Sequence, residues 1–230
     1  MNFSSLIRAA LAASFFLAPA IAQIQTLGGP DADRKASMLI FAEMTNGFTP
    51  HGAVAINYSQ PEWKADYDKV LASGKFNGTT QRLGKNWWTS LDTTIALEIG
   101  GTKVEAGSYF LGLQIGKDGA PSLLLIDAKS AMQHGWLPFV TADWKTDTVA
   151  KLELHKDALA ESQAKMTIAI TADKDDTSKG KLSIQWGKHE LSAAVAFHMH
   201  GKGDAKAAPK GEAKGHGDTK GAEKAHGEKN

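Results

Sequence analysis

The chain has 230 residues, no cysteine, and a net charge of +1 from 26 basic and 25 acidic side chains. Without cysteine it has no disulfide, no thiol nucleophile and no thiolate metal site. The balanced charge lacks the basic footprint of a nucleic-acid-binding protein, so no nucleic-acid partner is expected. The region from Gln23 to His200 is long enough to bury one sizeable core.

The N-terminus has the pattern of a secretory signal peptide. Arg8 is the only charged residue before Gln23, and residues 9–20 form an uncharged, mostly apolar run. Ala20-Ile21-Ala22 is typical of a signal cleavage site. The run is shorter than the ~20 residues of a membrane span, so a chain that does not span the membrane is expected. We therefore predict that residues 1–22 are a signal peptide and that the protein is exported, periplasmic or extracellular. The alternative is a buried N-terminal helix.

Residues 51–200 have the pattern of an antiparallel β protein. Short alternating segments are separated by polar, Gly-rich turns, and no β-α-β alternation occurs. The expected fold class is all-β, an antiparallel β-sandwich (jelly-roll-like) in a single domain. Residues 23–50 are predicted to be an N-terminal segment, in which 32–45 are compatible with a short helix. Strands are predicted at residues 52–58, 93–99, 102–105, 108–115, 121–127, 148–155, 165–172, 181–186 and 190–200.

The C-terminal residues 201–230 have a different composition from the rest of the chain. They consist largely of Gly, Ala, Lys, Glu, Asp and His, with no Val, Ile, Leu, Phe, Trp or Tyr. Such a segment cannot bury enough apolar surface to offset the entropy lost on ordering. We predict a disordered, Lys/Gly/Ala/His-rich tail.

The clearest local signal is the stretch from Thr93 to Tyr109. The alternating apolar residues stop at Gly100-Gly101, and the chain then returns through Val104. A two-residue Gly-Gly loop suits a primed hairpin turn, in which the central residues have positive φ. We therefore expect Gly101 to have a positive φ angle.

Three motifs resemble one bacterial family. They are Tyr58-Ser59-Gln60-Pro61, Arg82-Leu83-Gly84 and the block from Gly100 to Leu111. Together they make residues 53–197 similar to the domain of unknown function 2911 (DUF2911) family. Gln60 and Gln81 stand where family members often carry arginine and tryptophan, so the chemistry of any site formed there is altered. The resemblance implies a secreted β-sandwich-like domain and implies no activity.

The tryptophans are the best candidates for ligand binding. Trp87, Trp88 and Trp136 lie in the long irregular connections, where exposed aromatic rings would stack on the sugar rings of a glycan or envelope component. The alternative is that these rings cover the open ends of the sandwich. Adjacent residues in an extended chain point to opposite faces, so one ring of the Trp87-Trp88 pair can lie in the core while the other is exposed. Trp186 alternates with Leu182 and Ile184 and is expected to face inward.

The C-terminal histidines are the candidate metal ligands. His198 and His200 are two residues apart on the last predicted strand and therefore share a face. Such a pair can present two imidazoles to a metal ion, and His216 and His226 in the tail could add to it. The alternative is a solvent-facing strand end that leads into a polar tail.

No common catalytic or cofactor-binding motif is present, so no catalytic residue is assigned and no cofactor is expected. The leading functional prediction is a non-catalytic binding or envelope-associated module. The first alternative is an enzyme of unrecognised type that acts on envelope polysaccharide. The second is a periplasmic metal-handling protein that uses the C-terminal histidines.

Overall fold

The computed structural model describes residues 29–200, and the β-sheet unit of the chain begins at Asp31. The predicted signal peptide at residues 1–22 and the predicted disordered tail at residues 201–230 lie outside the described residues. Both α-helices within 29–200 have only six residues, and neither is long and apolar enough to cross a membrane.

Thirteen strands and three short helices make up the described part of the chain. The strands are β1 (Arg34–Glu43), β2 (Thr49–Ser59), β3 (Thr80–Arg82), β4 (Thr89–Thr93), β5 (Ala96–Ile99), β6 (Thr102–Val104), β7 (Gly107–Ile115), β8 (Pro121–Asp127), β9 (Val149–Lys151), β10 (Glu153–His155), β11 (Gln163–Ala172), β12 (Lys179–Gly187) and β13 (His189–His198). The helices are α1 (Tyr67–Ala72), α2 (Ala128–Gln133) and one turn of 3-10 helix, η1 (Thr141–Asp143).

These strands form two antiparallel sheets. The first sheet has seven strands in the order β1-β2-β4-β7-β8-β9, and β3 pairs with β7. The second has six strands in the order β11-β12-β13-β5-β6, and β10 pairs with β13. The prediction of an all-β antiparallel sandwich is confirmed.

The main hydrophobic core lies between the two sheets. Val54 and Ile56 of β2 face it from the first sheet, and Leu182 and Ile184 of β12 face it from the second. None of these four residues is more than 4% exposed. The spacing of two residues places one face of each strand in the core and the other on the outside.

The two sheets also meet along both lateral sides. Where β1 lies beside β11, the Ile170 amide donates to Ser37 Oγ at 3.0 Å. Where β6 lies beside β9, Thr102 Oγ1 donates to the Val149 carbonyl at 2.9 Å. These bonds satisfy edge groups that a free edge strand would expose.

The hairpin between β5 and β6 turns at Gly100 and Gly101. Their φ angles are 54° and 81°, so both central residues are in the left-handed region, as a primed turn requires. The predicted positive φ of Gly101 is confirmed. Tyr109 of β7 then fixes the chain after the hairpin, because its Oη donates to the Glu105 carbonyl at 3.0 Å.

A second, smaller hydrophobic cluster lies on the outer face of the seven-stranded sheet, under α2 and the loop that follows it. Trp88 stacks on Phe110 with ring centroids 4.5 Å apart and an interplanar angle of 3°. Trp144 contacts Trp88 at 4.9 Å. Ile126 of β8 and Ala131 of α2 complete the packing, so this connection is a covered part of the fold rather than an open loop.

The N-terminal segment differs from the prediction, because residues 34–43 form β1 rather than a short helix. β1 pairs with β2 along its whole length, from Arg34 opposite Ser59 to Glu43 opposite Thr49. Its Phe41 reaches the main core and is 7% exposed. The inter-strand hydrogen bonds and this burial outweigh the helix propensity of the segment. The sandwich therefore includes β1 and does not begin at residue 51.

Candidate functional site

A cleft of about 1110 Å³ opens at the end of the sandwich where β7 and β12 finish and β8 and β13 begin. We call it the end cleft. Small-molecule sites in proteins commonly occupy ~300–1,000 Å³, so this volume is sufficient for a ligand. The lining residues are Pro61, Trp63, Tyr67, Asp68, Leu71, Ala72, Gly74, Phe76, Asn77, Gln81, Arg82, Leu83, Gly84, Lys85, Leu113, Ile115, Asp118, Gly119, Pro121, Leu154, Lys156, Asp157, Met166, Ile184, Trp186, Lys188, His189 and Leu191.

One wall of the end cleft is the segment that follows β2. It runs beside the start of β11, where the Met166 amide donates to the Pro61 carbonyl at 3.0 Å. The Trp63 amide donates to the Ala164 carbonyl at 2.8 Å, and Gln60 Nε2 donates to the Met166 carbonyl at 2.9 Å. These three bonds hold the segment in an extended conformation and place Trp63 at the cleft.

Three aromatic rings meet at this wall, and we call Trp63, Tyr67 and Trp186 the aromatic corner. Trp63 makes edge-to-face contacts with Trp186 at 5.1 Å and with Tyr67 at 5.4 Å between ring centroids. Tyr67 and Trp186 are 5.0 Å apart. Trp186 Nε1 donates to the Pro61 carbonyl at 3.0 Å, which satisfies its polar group. Each ring is thus fixed by the other two.

An imidazole–carboxylate pair joins α1 to the turn between β12 and β13. His189 Nε2 lies 2.9 Å from Asp68 Oδ1, and the Asp157 amide donates to His189 Nδ1 at 3.4 Å. With Nδ1 as an acceptor, Nε2 carries the proton and donates to Asp68. Both ring nitrogens therefore have partners, and the pair holds α1 beside the aromatic corner.

The floor of the end cleft is part of the main core. Leu83, Met166 and Ile184 line it, and these residues are 3%, 7% and 4% exposed. Leu113 and Leu191 also line it and pack against the core. The cleft therefore leads into the apolar space between the two sheets.

The charged residues of the end cleft differ in how they are paired. Arg82, Lys156 and Lys188 make no ion pair with any residue in 29–200. Asp68 is engaged by His189, as described above. Asp118 Oδ1 accepts a hydrogen bond from the Ala120 amide at 3.0 Å.

Lys85 is the fourth cation that lines the cleft, and it forms an ion pair with Asp33, which is not a lining residue. Asp33 accepts hydrogen bonds from Lys165 Nζ at 2.6 Å and from Lys85 Nζ at 2.5 Å. These two bonds lower the pKa of Asp33 to about 2, and the same contact raises the pKa of Lys165. The three residues connect the start of β1 to β11 and to the cleft wall.

The sequence of residues 42–195 matches the family model described as "Protein of unknown function (DUF2911)". The matched range covers more than half of the chain. The chain belongs to the DUF2911 family. No curated protein and no solved structure matches it. All residues that line the end cleft, from Pro61 to Leu191, lie within the DUF2911 range.

Two of the motifs that resemble DUF2911 lie at the end cleft. Pro61 follows Gln60 in the first motif, and its carbonyl accepts the Trp186 hydrogen bond described above. In the second motif Gly84 has a φ of 82°, and a β-carbon there would lie 3.0 Å from the Ser59 carbonyl oxygen. Glycine at 84 thus allows the chain after β3 to pass closely over the end of β2.

The tryptophans predicted to bind a ligand lie away from this cleft. Trp88 is buried in the second hydrophobic cluster and is 3% exposed, whereas Trp87 is 53% exposed, so the two adjacent rings do point to opposite sides of the chain. Trp136 is half-buried, packs against the same cluster, and stacks on His134 at 5.1 Å. The ligand-binding role of these three residues stays a prediction.

The predicted metal ligands lie at the opposite end of β13 from the cleft. His198 is exposed, and His200 donates from Nε2 to the Thr94 carbonyl at 3.0 Å. No group of three or more His, Cys, Asp or Glu side chains that could hold a metal ion occurs within residues 29–200. The tail histidines His216 and His226 lie outside the described residues, and the metal role stays a prediction.

The aromatic corner is not predicted by the sequence pattern. Trp186 packs against the main core, as predicted, but it also lines the cleft. The signal that was available was the Pro61 motif, which ends β2 a few residues before Trp63 and Tyr67.

Proposed function

We propose that this DUF2911 protein is an exported, non-catalytic binding module whose ligand occupies the end cleft. The observation that carries the proposal is the cleft itself, which is open, apolar at its floor and lined by side chains with fixed partners. Apolar clefts with a few convergent polar groups are the usual form of a ligand site. The apolar run at residues 9–20 supports export.

The chemistry of the lining residues supports binding rather than catalysis. None of the residues that line the end cleft is Ser, Thr or Cys, so the aliphatic hydroxyl and thiol nucleophiles are lacking there. His189 has hydrogen-bond partners at both ring nitrogens, Asp68 and the Asp157 amide, which gives its imidazole a structural role between α1 and the turn from β12 to β13.

The first test uses 1-anilinonaphthalene-8-sulfonate, a dye that fluoresces in apolar sites. We expect the folded protein to bind it at one site, with energy transfer from the tryptophans of the aromatic corner. The double variant Leu71→Gln/Leu154→Gln removes two apolar side chains that line the cleft, one from α1 and one from β10. We expect this variant to bind the dye about tenfold more weakly.

The matched control is Leu137→Gln/Val140→Gln. Leu71 and Leu154 are 48% and 40% exposed, while Leu137 and Val140 are 46% and 43% exposed and do not line the end cleft. The control should bind the dye as the unmodified protein does. Equal binding by both double variants, or no binding by the unmodified protein, would overturn the cleft as the ligand site.

Two alternatives remain measurable in the same samples. The pair His189–Asp68 is the feature that an enzyme acting on envelope polysaccharide would use. If the protein releases reducing ends from polysaccharide and His189→Asn abolishes this activity, the protein is that enzyme and the proposal of a non-catalytic binding module is wrong. Tight nickel or copper uptake, lost in His198→Ala/His200→Ala, would support the metal-handling function instead.

Export is tested by the intact mass of the protein recovered from its producing cells. We expect a mature chain that begins at Gln23. A mass that includes residues 1–22 would contradict export by a cleaved signal peptide.

A further inference from the structure

A shallow depression of about 390 Å³ lies beside the end cleft, between β3 and the loop that contains η1. We call it the Arg82 depression, and its lining residues are Thr80, Gln81, Arg82, Pro138, Phe139 and Thr141. Gln81 and Arg82 also line the end cleft, whereas the other four do not. Small-molecule sites commonly occupy ~300–1,000 Å³, so the depression is large enough for a ligand the size of one sugar ring.

Arg82 is the residue of the Arg82-Leu83-Gly84 motif that the fold does not explain. Leu83 is buried in the main core, and Gly84 allows the close passage over β2 described above. The Arg82 guanidinium makes no ion pair and no hydrogen bond with any residue in 29–200. It lies over the Phe139 ring, with 5.2 Å between Cζ and the ring centroid. Its N–H groups are therefore available to a ligand.

The Phe139 ring holds this guanidinium in one orientation. The ring is 60% exposed, but the loop that carries it is fixed. Trp144 is buried in the second hydrophobic cluster, and its Nε1 donates to the Leu137 carbonyl at 3.0 Å. An arginine stacked on an aromatic ring keeps its N–H groups in the guanidinium plane, where they can bind a carboxylate with two hydrogen bonds. The stack therefore prepares Arg82 for an anionic group.

The charge of the lining is that of Arg82 alone. The other five lining residues are neutral, and no Asp or Glu is among them. Asp143 at the end of η1 is exposed and carries its charge outside the lining. One planar cation matches one carboxylate, whereas a phosphate dianion would keep an unbalanced negative charge.

The neutral lining groups suit a ligand that carries hydroxyls. The Thr80 and Thr141 hydroxyls make no hydrogen bond within residues 29–200. Gln81 Nε2 donates to Thr79 Oγ1 at 3.0 Å, which leaves Gln81 Oε1 as an acceptor. These groups can donate to ligand hydroxyls and accept from them, so the depression favours a hydroxylated acid over an aliphatic one.

We propose that the Arg82 depression binds a sugar acid. The carboxylate of the sugar acid pairs with the Arg82 guanidinium, and its ring hydroxyls bond with Thr80, Gln81 and Thr141. This inference goes beyond the proposed function, because it does not require a ligand in the end cleft.

The test is isothermal titration calorimetry of the unmodified protein with D-glucuronate, D-glucose and D-glucose 6-phosphate. We expect glucuronate to bind. Glucose has the same ring without the carboxylate and should bind about tenfold more weakly, because paired hydrogen bonds from a cation to a carboxylate are strong. Glucose 6-phosphate should also bind more weakly than glucuronate. Equal binding of glucuronate and glucose, or tighter binding of the phosphate, would overturn the sugar acid as ligand.

Three variants test the residues of the site. Arg82→Gln should reduce glucuronate binding to the level of glucose. Its matched control is Lys103→Gln, which removes the same charge from an exposed residue that does not line the depression and should keep the full difference between the two sugars. Phe139→Leu keeps the charge but removes the ring under Arg82, and it should lose part of that difference. Full glucuronate binding by Arg82→Gln would overturn the site.

The double variant Leu71→Gln/Leu154→Gln separates this site from the end cleft. Neither residue lines the depression, so this variant should bind glucuronate as the unmodified protein does. Loss of glucuronate binding in the double variant would place the acid in the end cleft and overturn the Arg82 depression. Failure of glucuronate to bind the folded protein would overturn this inference alone, since the proposed function is tested separately with the anilinonaphthalene dye.

Discussion

The indole ring of Trp63 lies against Gly187, and a β-carbon built at position 187 would be 2.5 Å from Cε2 of that ring. Gly187 also has a φ of 62°, in the left-handed region. Gly187 therefore has two roles. It forms the turn between β12 and β13, and it contacts the Trp63 ring that lines the end cleft. No larger side chain can occupy position 187 while Trp63 keeps this place.

We predict that Gly187→Ala destabilises the protein and displaces Trp63. The new methyl group overlaps the ring, and overpacking of this kind costs ~1–3 kcal/mol. Gly135→Ala is the control, because Gly135 has a φ of 67° and no atom within 4 Å of an added β-carbon. Both substitutions place alanine at a positive φ, so the free energies of unfolding of the two variants, measured in denaturant, should differ by the cost of the overlap between the new methyl group and Trp63. Equal losses in both variants would mean that Trp63 moves away without cost.

The Gly-Gly turn provides a second paired prediction. A β-carbon at Gly100 would lie 2.4 Å from the Lys151 carbonyl oxygen, whereas one at Gly101 would have no atom within 4 Å. Gly101→Ala should cost ~1–2 kcal/mol from its positive φ alone. Gly100→Ala should cost more, because it also pushes β9 away from the hairpin. Chemical denaturation of both variants measures the difference, and a smaller loss for Gly100→Ala would contradict this packing.

The ion pairs of Asp33 predict a specific pH dependence. The pKa of Asp33 falls from its ordinary 3.8 to about 2, so its stabilising effect is fully present above about pH 4 and is lost as the pH falls through 2. Asp33→Asn should therefore lower the melting temperature at pH 7, and the difference from the unmodified protein should shrink between pH 4 and pH 2.

Asp147→Asn is the control for that series, since Asp147 is exposed and makes no ion pair within residues 29–200. Its melting temperature should follow that of the unmodified protein throughout the titration. A constant difference for Asp33→Asn down to pH 2 would show that its pairs with Lys85 and Lys165 do not stabilise the fold.

Trp87 and Trp88 should respond very differently to the same substitution. Trp88→Ala removes a ring that stacks on Phe110 in a closed cluster, and such losses cost ~3–5 kcal/mol. Trp87→Ala alters an exposed side chain and should change stability by less than ~0.5 kcal/mol. Thermal and chemical denaturation of the two variants make the comparison, and a large loss for Trp87→Ala would reveal a contact for its ring.

The predicted glycan role of these tryptophans is tested by fluorescence titration with polysaccharide fragments. If Trp87 and Trp136 bind sugars, Trp87→Ala and Trp136→Ala should weaken binding while Trp63→Ala leaves it unchanged. Binding that depends on Trp63 alone would assign the sugar to the end cleft instead.

The strands that the sequence predicted well are those whose own side chains alternate. β7 and β8 carry their apolar pattern within a single hairpin, so local periodicity was sufficient to find both. β1 was missed because its residues also suit a helix, and only its partner β2 selects the extended form. Intrinsic helix propensity has little influence on the secondary structure of residues that are also paired in a sheet and buried.

The end cleft could not be predicted, because its parts are distant in sequence. Trp63 contacts Trp186 and Gly187 only when β12 lies beside β11, and no local sequence pattern predicts a contact between residues so far apart in the chain. Trp88 and Trp136 stood out because they lie in long connections. Those connections pack on the outer face of the seven-stranded sheet, where Trp88 is buried in the second hydrophobic cluster and Trp136 is half-buried against it.

The bond between Asp33 and Lys165 joins residues 132 positions apart, and it closes one lateral side of the sandwich. β1 and β2 are synthesised long before β11, so the β1–β2 hairpin has an uncovered β1 edge until β11 is available. Folds dominated by such distant contacts assemble slowly, because a long loop must close before the contact stabilises it. The exposed edge of β1, with Met38 and Ile40 on its outer face at 63% and 55% exposure, is the surface at risk of mispairing during that interval. We expect folding yield, more than the stability of the finished protein, to depend on how quickly β11 reaches that edge.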